Sequence, residues 1–93
     1  MITAIVLVNV ERPKIKTVID SLMRLQGVSE VHTVAGEYDL AVIVRVQNSQ
    51  ELSSIVVDKM PHQTDGVTHT KTLVALASQS KVDLEKVFLS LQA

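Results

Sequence analysis

Residues 33–46 read TVAGEYDLAVIVRV, and the reading of this stretch decides the fold. An apolar approach enters Gly36-Glu37-Tyr38-Asp39 and leaves through Leu40-Ala41-Val42-Ile43-Val44-Arg45-Val46. The exit run is rich in β-branched residues and bounded by a polar turn, which predicts a hairpin: Val28–Ala35, the turn 36–39, then Leu40–Val46. Leu40, Val42, Val44 and Val46 share one face, while Ala41 and Ile43 share the other with Arg45 at the far end. Both faces of this strand are apolar. A turn with one glycine, one aromatic and two carboxylates is either a corner of the fold or the mouth of a ligand site.

Outward from the hairpin, Ile2–Val10 reads as a first strand that is also apolar on both parities. A strand wet on one side would alternate more cleanly. Pro13 suits the first turn of a helix. Ile15, Val18, Ile19, Leu22 and Leu25 then recur at helical spacing up to the stop at Gly27. Asn48 with Glu51 three residues on makes a capping pair for a second helix carrying Leu52, Ile55, Val56 and Met60, which Pro61 should end. Asp65-Gly66 signals a turn, and Val67–Ala77 a fourth strand with Thr68, Thr70, Thr72, Val74 and Leu76 on one parity. Asp83 can cap a last helix whose Leu84, Val87, Phe88 and Leu91 form a stripe. The order βαββαβ plus a helix predicts an α+β, ferredoxin-like fold: a four-stranded antiparallel sheet with both crossover helices on one face.

Ninety-three residues make one domain. With one Phe, one Tyr and no Trp, aliphatic side chains must build the core. Two helices cover only one side of the sheet. Burying ~400 Å² of the other face at ~25 cal/mol per Å² is worth about 10 kcal/mol gross per chain, before the entropy of association. A homodimer packed sheet to sheet is therefore expected; the alternative cover is the chain's own C-terminal helix.

Nine Lys and Arg against ten Asp and Glu, without a basic cluster, argue against direct nucleic-acid binding. The absence of cysteine excludes disulfides, thiolate metal sites and a Cys nucleophile. His32, His62 and His69 stand singly, without metal-ligand spacing, and no nucleophile or phosphate-loop motif occurs, so neither metal, cofactor nor catalytic residues are expected. The N-terminal apolar run is too short to span a bilayer and lacks signal-peptide flanks, so a cytoplasmic protein is expected.

At the turn, Gly36 permits positive φ, and neighbouring N–H groups can point outward as an anion nest. Asp39 can accept an ammonium. The plain reading has Asp39 bonding nearby backbone N–H groups and Tyr38 packing. Thr68, Thr70 and Thr72 offer a row of hydroxyls to a ligand, or are simply good strand formers.

Val34-Ala35-Gly36-Glu37-Tyr38-Asp39-Leu40 resembles the central motif of the C-terminal domain of Lrp/AsnC regulators, the RAM domain. The likeness extends to Leu25–Val28, to Met60-Pro61 and to GVTHTKTLVAL at 66–76. It implies dimers built sheet against sheet as a dimeric α+β barrel, four of them in a ring of eight subunits, with an amino acid bound between dimers. Carried over, the contacts are Val34, Gly36, Tyr38 and Asp39 with Thr70 and Thr72. Two departures from the family pattern are expected: no helix-turn-helix before the domain, and a link before the fourth strand lengthened by His62-Gln63-Thr64-Asp65. The expectation is one sensing domain over residues 1–93 without a DNA-binding domain. It would act through partners, full-length Lrp/AsnC regulators among them, in transcription or amino-acid metabolism. The competing expectation is a dimeric α+β barrel enzyme, such as a cofactor-free monooxygenase; the aliphatic helix stripes argue against it.

Overall fold

The computed structural model describes residues 1–81. Strand β1 (Ile2–Val10) leads through a 3-10 turn at Arg12–Lys14 into α1 (Ile15–Met23), β2 (Val28–Thr33) and β3 (Leu40–Val46). A second helix follows in three segments: α2 (Ser49–Ser53), a π-helical stretch (Ser54–Lys59) and α3 (Met60–Gln63). Strand β4 (Val67–Val74) closes the sheet, whose order is β2-β3-β1-β4 with every neighbour antiparallel. This is the expected split βαβ arrangement. The C-terminal helix expected around Leu84–Leu91 lies outside the described residues.

Alternation along the strands builds the core. Ala4, Val6, Val8 and Val10 of β1 and Leu40, Val42, Val44 and Val46 of β3 are buried against Val18, Leu22, Leu52, Ile55 and Met60 from the helices. The opposite side carries Ile5, Leu7, Ala41 and Ile43, half-buried, with Leu73 beside them at 46% exposure. Register aligns Glu30, Ile43, Ile5 and Leu73 in one cross-strand row, and His32, Ala41, Leu7 and Lys71 in the next. Apolar residues thus hold the middle of this face and polar ones its margins.

Boundaries differ from the sequence expectations for identifiable reasons. Helix α1 ends at Met23, ahead of Leu25, because the chain tightens: the Arg24 and Leu25 N–H groups donate to the Ser21 and Leu22 carbonyls. Gly27, at φ +100°, then sits third in a turn closed by the Val28 N–H on the Leu25 carbonyl. Strand β2 stops at Thr33 instead of Ala35. Strand β4 stops at Val74 instead of Ala77, because its partner runs out: the Ala75 N–H bonds the Thr3 carbonyl near the start of β1, and Leu76 is fully exposed.

Pro61 does not end the second helix, which runs on to Gln63. A proline lacks the N–H for the helical ladder and its ring opposes the carbonyl four residues back. The preceding π turn, where the Met60 N–H reaches back five residues to the Ile55 carbonyl, widens the helix just where that clash would fall. Buried Thr64, its hydroxyl 3.4 Å from the Lys59 carbonyl, finishes the helix. At the other end the capping pair forms as expected in one direction, with Asn48 Oδ1 accepting the Glu51 N–H at 2.9 Å. Glu51 Oε2 accepts from the Gln47 N–H instead of that of Asn48.

Candidate functional site

The turn between β2 and β3 is tied at its base and open at its tip. The Val34 N–H donates to the Asp39 carbonyl and the Asp39 N–H to the Val8 carbonyl, each at 3.0 Å. Asp39 Oδ2 accepts the Val10 N–H at 2.9 Å. That donor is available because the β1–β3 ladder ends at the Val8–Leu40 pair, beyond which Val10 has no partner in β3. Asp39 therefore acts first as a clamp, holding the turn on the end of β1. Its second oxygen, Oδ1, has no hydrogen-bond partner among the described residues and remains for a cation.

Gly36 has φ +138°, and a Cβ there would meet nothing within 4 Å. The position calls for glycine through backbone conformation alone, and the Ala35-Gly36-Glu37 tip is exposed. Tyr38 folds away from the tip to stack on His69 of β4, ring centroids 6.2 Å apart and planes within 20°. His69 pairs with Asn9 across β1–β4. The turn is thereby tied to both central β1 and edge strand β4.

The six residues singled out from sequence do not line one pocket within a single chain. Val34, Gly36, Tyr38 and Asp39 cluster at one corner of the sheet. Thr70 and Thr72 pair with buried Val8 and Val6, which places their side chains on the helix-covered side. His69, which directly precedes Thr70 in sequence, has the opposite parity and points to the side that Tyr38 covers. Sequence reasoning set His69 aside as a failed metal ligand; its place beside a threonine row in the strand matching the family pattern was the available signal.

Among the described residues no group of three or more His, Asp or Glu side chains is placed to hold a metal, and no helix is long and apolar enough to cross a membrane. The Lys14 ammonium lies 3.1 Å from both Glu11 and Asp65, and hydrogen bonding to these carboxylates raises its pKa above the usual lysine value.

The sequence pattern of the Lrp/AsnC ligand binding domain matches residues 3–83. An HTH-type transcriptional regulator of Pyrococcus horikoshii, PH1916, is 41% identical over 63 residues, 68% of this chain and 41% of its own length. Against other curated regulators, such as FL11 of Pyrococcus abyssi, the chain spans about half their length. Among solved structures, TTHA0845 from Thermus thermophilus superposes with TM-score 0.79 at 32% identity, covering 87% of this chain and all of that one. A feast or famine regulatory protein from M. tuberculosis, complexed with L-methionine, shares the fold: TM-score 0.72 at 20% identity, over 87% of this chain and 54% of that one.

Proposed function

Because the chain belongs to the Lrp/AsnC ligand-binding domain family, we propose that it senses a free amino acid through the Val34–Asp39 turn and passes that signal on by assembling with other subunits. The observation that carries this reading is the turn itself: held at its base by three hydrogen bonds, open at its glycine tip, with one carboxylate oxygen of Asp39 unpartnered among the described residues. Backbone N–H groups around Gly36 would receive the ligand carboxylate and Asp39 Oδ1 its ammonium.

In this reading the site is completed by a neighbour, since Thr70 and Thr72 of the same chain face the other way. The row of half-buried Ile5 and Ile43 with exposed Leu73, flanked by Glu30, His32 and Lys71, has the apolar centre and polar margin of a subunit interface. Packing two such faces gives the dimer, and joining four dimers in a ring brings the turns to subunit boundaries. The regulator names of the relatives and the methionine bound by the M. tuberculosis protein support an amino-acid effector and a regulatory, non-enzymatic role in the cytoplasm. The near-neutral charge supports action through partner proteins, full-length regulators among them, without direct DNA contact.

A melting-temperature and light-scattering screen against the standard amino acids at millimolar concentration tests the reading. A specific effector raises stability as RT ln(1 + [L]/Kd). A screen in which no amino acid shifts either observable would refute it.

A further inference from the structure

At the opposite end of β3 from the turn, roughly 20 Å away along a strand of this length, a cavity of about 250 Å³ lies between the second helix and the loop that enters β2. Gly27, Gln47, Glu51, Ser54, Ile55 and Lys59 are among the residues that line it. Gly27 lets the loop lie against the helix: a Cβ there would stand 2.6 Å from Ile55 Cδ1 and 3.0 Å from Val46 Cγ1.

Glu51, Ile55 and Lys59 stand four residues apart, and the π-helical stretch Ser54–Lys59 brings all three to the cavity. At 3.6 residues per turn such a row drifts round the axis by about 40° at each step, or about 80° between Glu51 and Lys59. A π turn fits more residues into one revolution and takes that drift back. Pro61 explains why the helix widens; the widening in turn sets a carboxylate, an apolar side chain and an ammonium in line.

The two charges sum to zero, yet they do not neutralise each other. Eight residues separate them, up to about 12 Å along the axis. Glu51 is turned towards the helix start, where its Oε2 accepts the Gln47 N–H at 2.9 Å, and its Oε1 has no hydrogen-bond partner among the described residues. Lys59 makes no ion pair among the described residues. Helical side chains lean towards the N-terminus, which favours Lys59 reaching back along the row. The complement to this arrangement is neither an anion nor a cation: it is one neutral molecule that carries both charges a fixed distance apart. An α-amino acid with a charge-assisted hydrogen bond at each end spans roughly 8 Å, which suits two side chains based up to about 12 Å apart. Ile55, buried and between them, offers apolar surface to a short aliphatic side chain. The volume, just below that of ordinary small-molecule sites, limits the ligand to that size.

We infer that this cavity is a second ligand site, separate from the Val34–Asp39 turn, that takes a small zwitterion: an α-amino acid with its carboxylate on Lys59, its ammonium on Glu51 and a short aliphatic side chain over Ile55. The inference does not depend on what the turn binds.

The test is a two-dimensional amide NMR titration of the full chain with L-valine, and in parallel with isovalerate and isobutylamine, which keep its body and lack its ammonium and its carboxylate respectively. Valine should give saturable shifts at Gly27, Ser54 and Ile55, and each half-charged compound should bind there about tenfold more weakly or not at all, the scale of one charge-assisted contact. Glu51→Gln, which retains an oxygen for the Gln47 N–H, and Lys59→Gln should each weaken valine about tenfold. Ser54→Leu, which fills the cavity, should abolish binding. The variants' spectra show whether the rest of the fold is intact. The Gly36 and Glu37 amides report the turn separately, so silence there counts against the turn and not against the cavity. No saturable valine shift at the cavity, a half-charged compound binding there as tightly as valine, or an unchanged valine affinity in either glutamine variant would overturn the inference.

Discussion

The clamp between Asp39 and β1 can be removed in two steps that separate structure from charge. Asp39→Ala deletes the acceptor of the Val10 N–H, which sits at 2.9 Å on a residue only 8% exposed. A hydrogen bond to a charged group is worth about 1.5–3 kcal/mol, and a buried donor left unpaired costs a similar amount, so about 2 kcal/mol is expected. For a domain of this size that lowers the melting temperature by roughly 8–16 °C. Asp39→Asn retains an amide oxygen to accept the same N–H and removes only the charge, so its loss should stay near 1 kcal/mol. Circular-dichroism melting at matched protein concentration, with urea titration as a second measure, reads both variants, since an associating protein melts higher at higher concentration. If Asp39→Ala melts within about a degree of the parent, the clamp contributes nothing and the account of the turn's base is wrong. If Asp39→Asn is as damaging as Ala, charge rather than the hydrogen bond holds the turn.

Ile43→Glu places a charge in the apolar row beside Ile5 and Glu30, where burying it unpaired in the proposed sheet-to-sheet dimer costs several kcal/mol; analytical ultracentrifugation should show that proposed dimer dissociating while helix and strand content persist. Asn48→Ala removes the cap of the Glu51 N–H and should cost about 1 kcal/mol in urea titration. The raised Lys14 pKa means that its stabilisation is fully present below the usual lysine value of 10.5 and is lost as pH rises through the higher folded value. The melting difference between the parent and Lys14→Gln should accordingly hold from neutral pH to about 10 and close above it.

Strand periodicity and capping chemistry were legible because they are local. The alternation of Leu40, Val42, Val44 and Val46 marks the buried side of β3, and Asn48 marks a helix start, without reference to any other part of the chain. Pro61 misled because its usual effect is to stop a helix; the π turn that accommodates it depends on how Ser54–Lys59 packs, which periodicity does not report. The two readings of Asp39 are not exclusive once its oxygens are counted, one serving Val10 and the other free of partners among the described residues. That assignment needs the end of the β1–β3 ladder at Val8 and Leu40, and so the three-dimensional pairing of β1 with β3. Tyr38 and His69 meet for the same reason: their strands converge on β1 from opposite sides.

The claim that the turn holds an amino acid by both ends is tested most directly by calorimetric titration. The parent and Asp39→Asn are compared using whichever amino acid raises the melting temperature most. Removing the charge while keeping the fold should raise Kd at least about tenfold, the weight of a lost charge-assisted contact to the ammonium. An unchanged Kd in a folded Asp39→Asn protein would contradict the account.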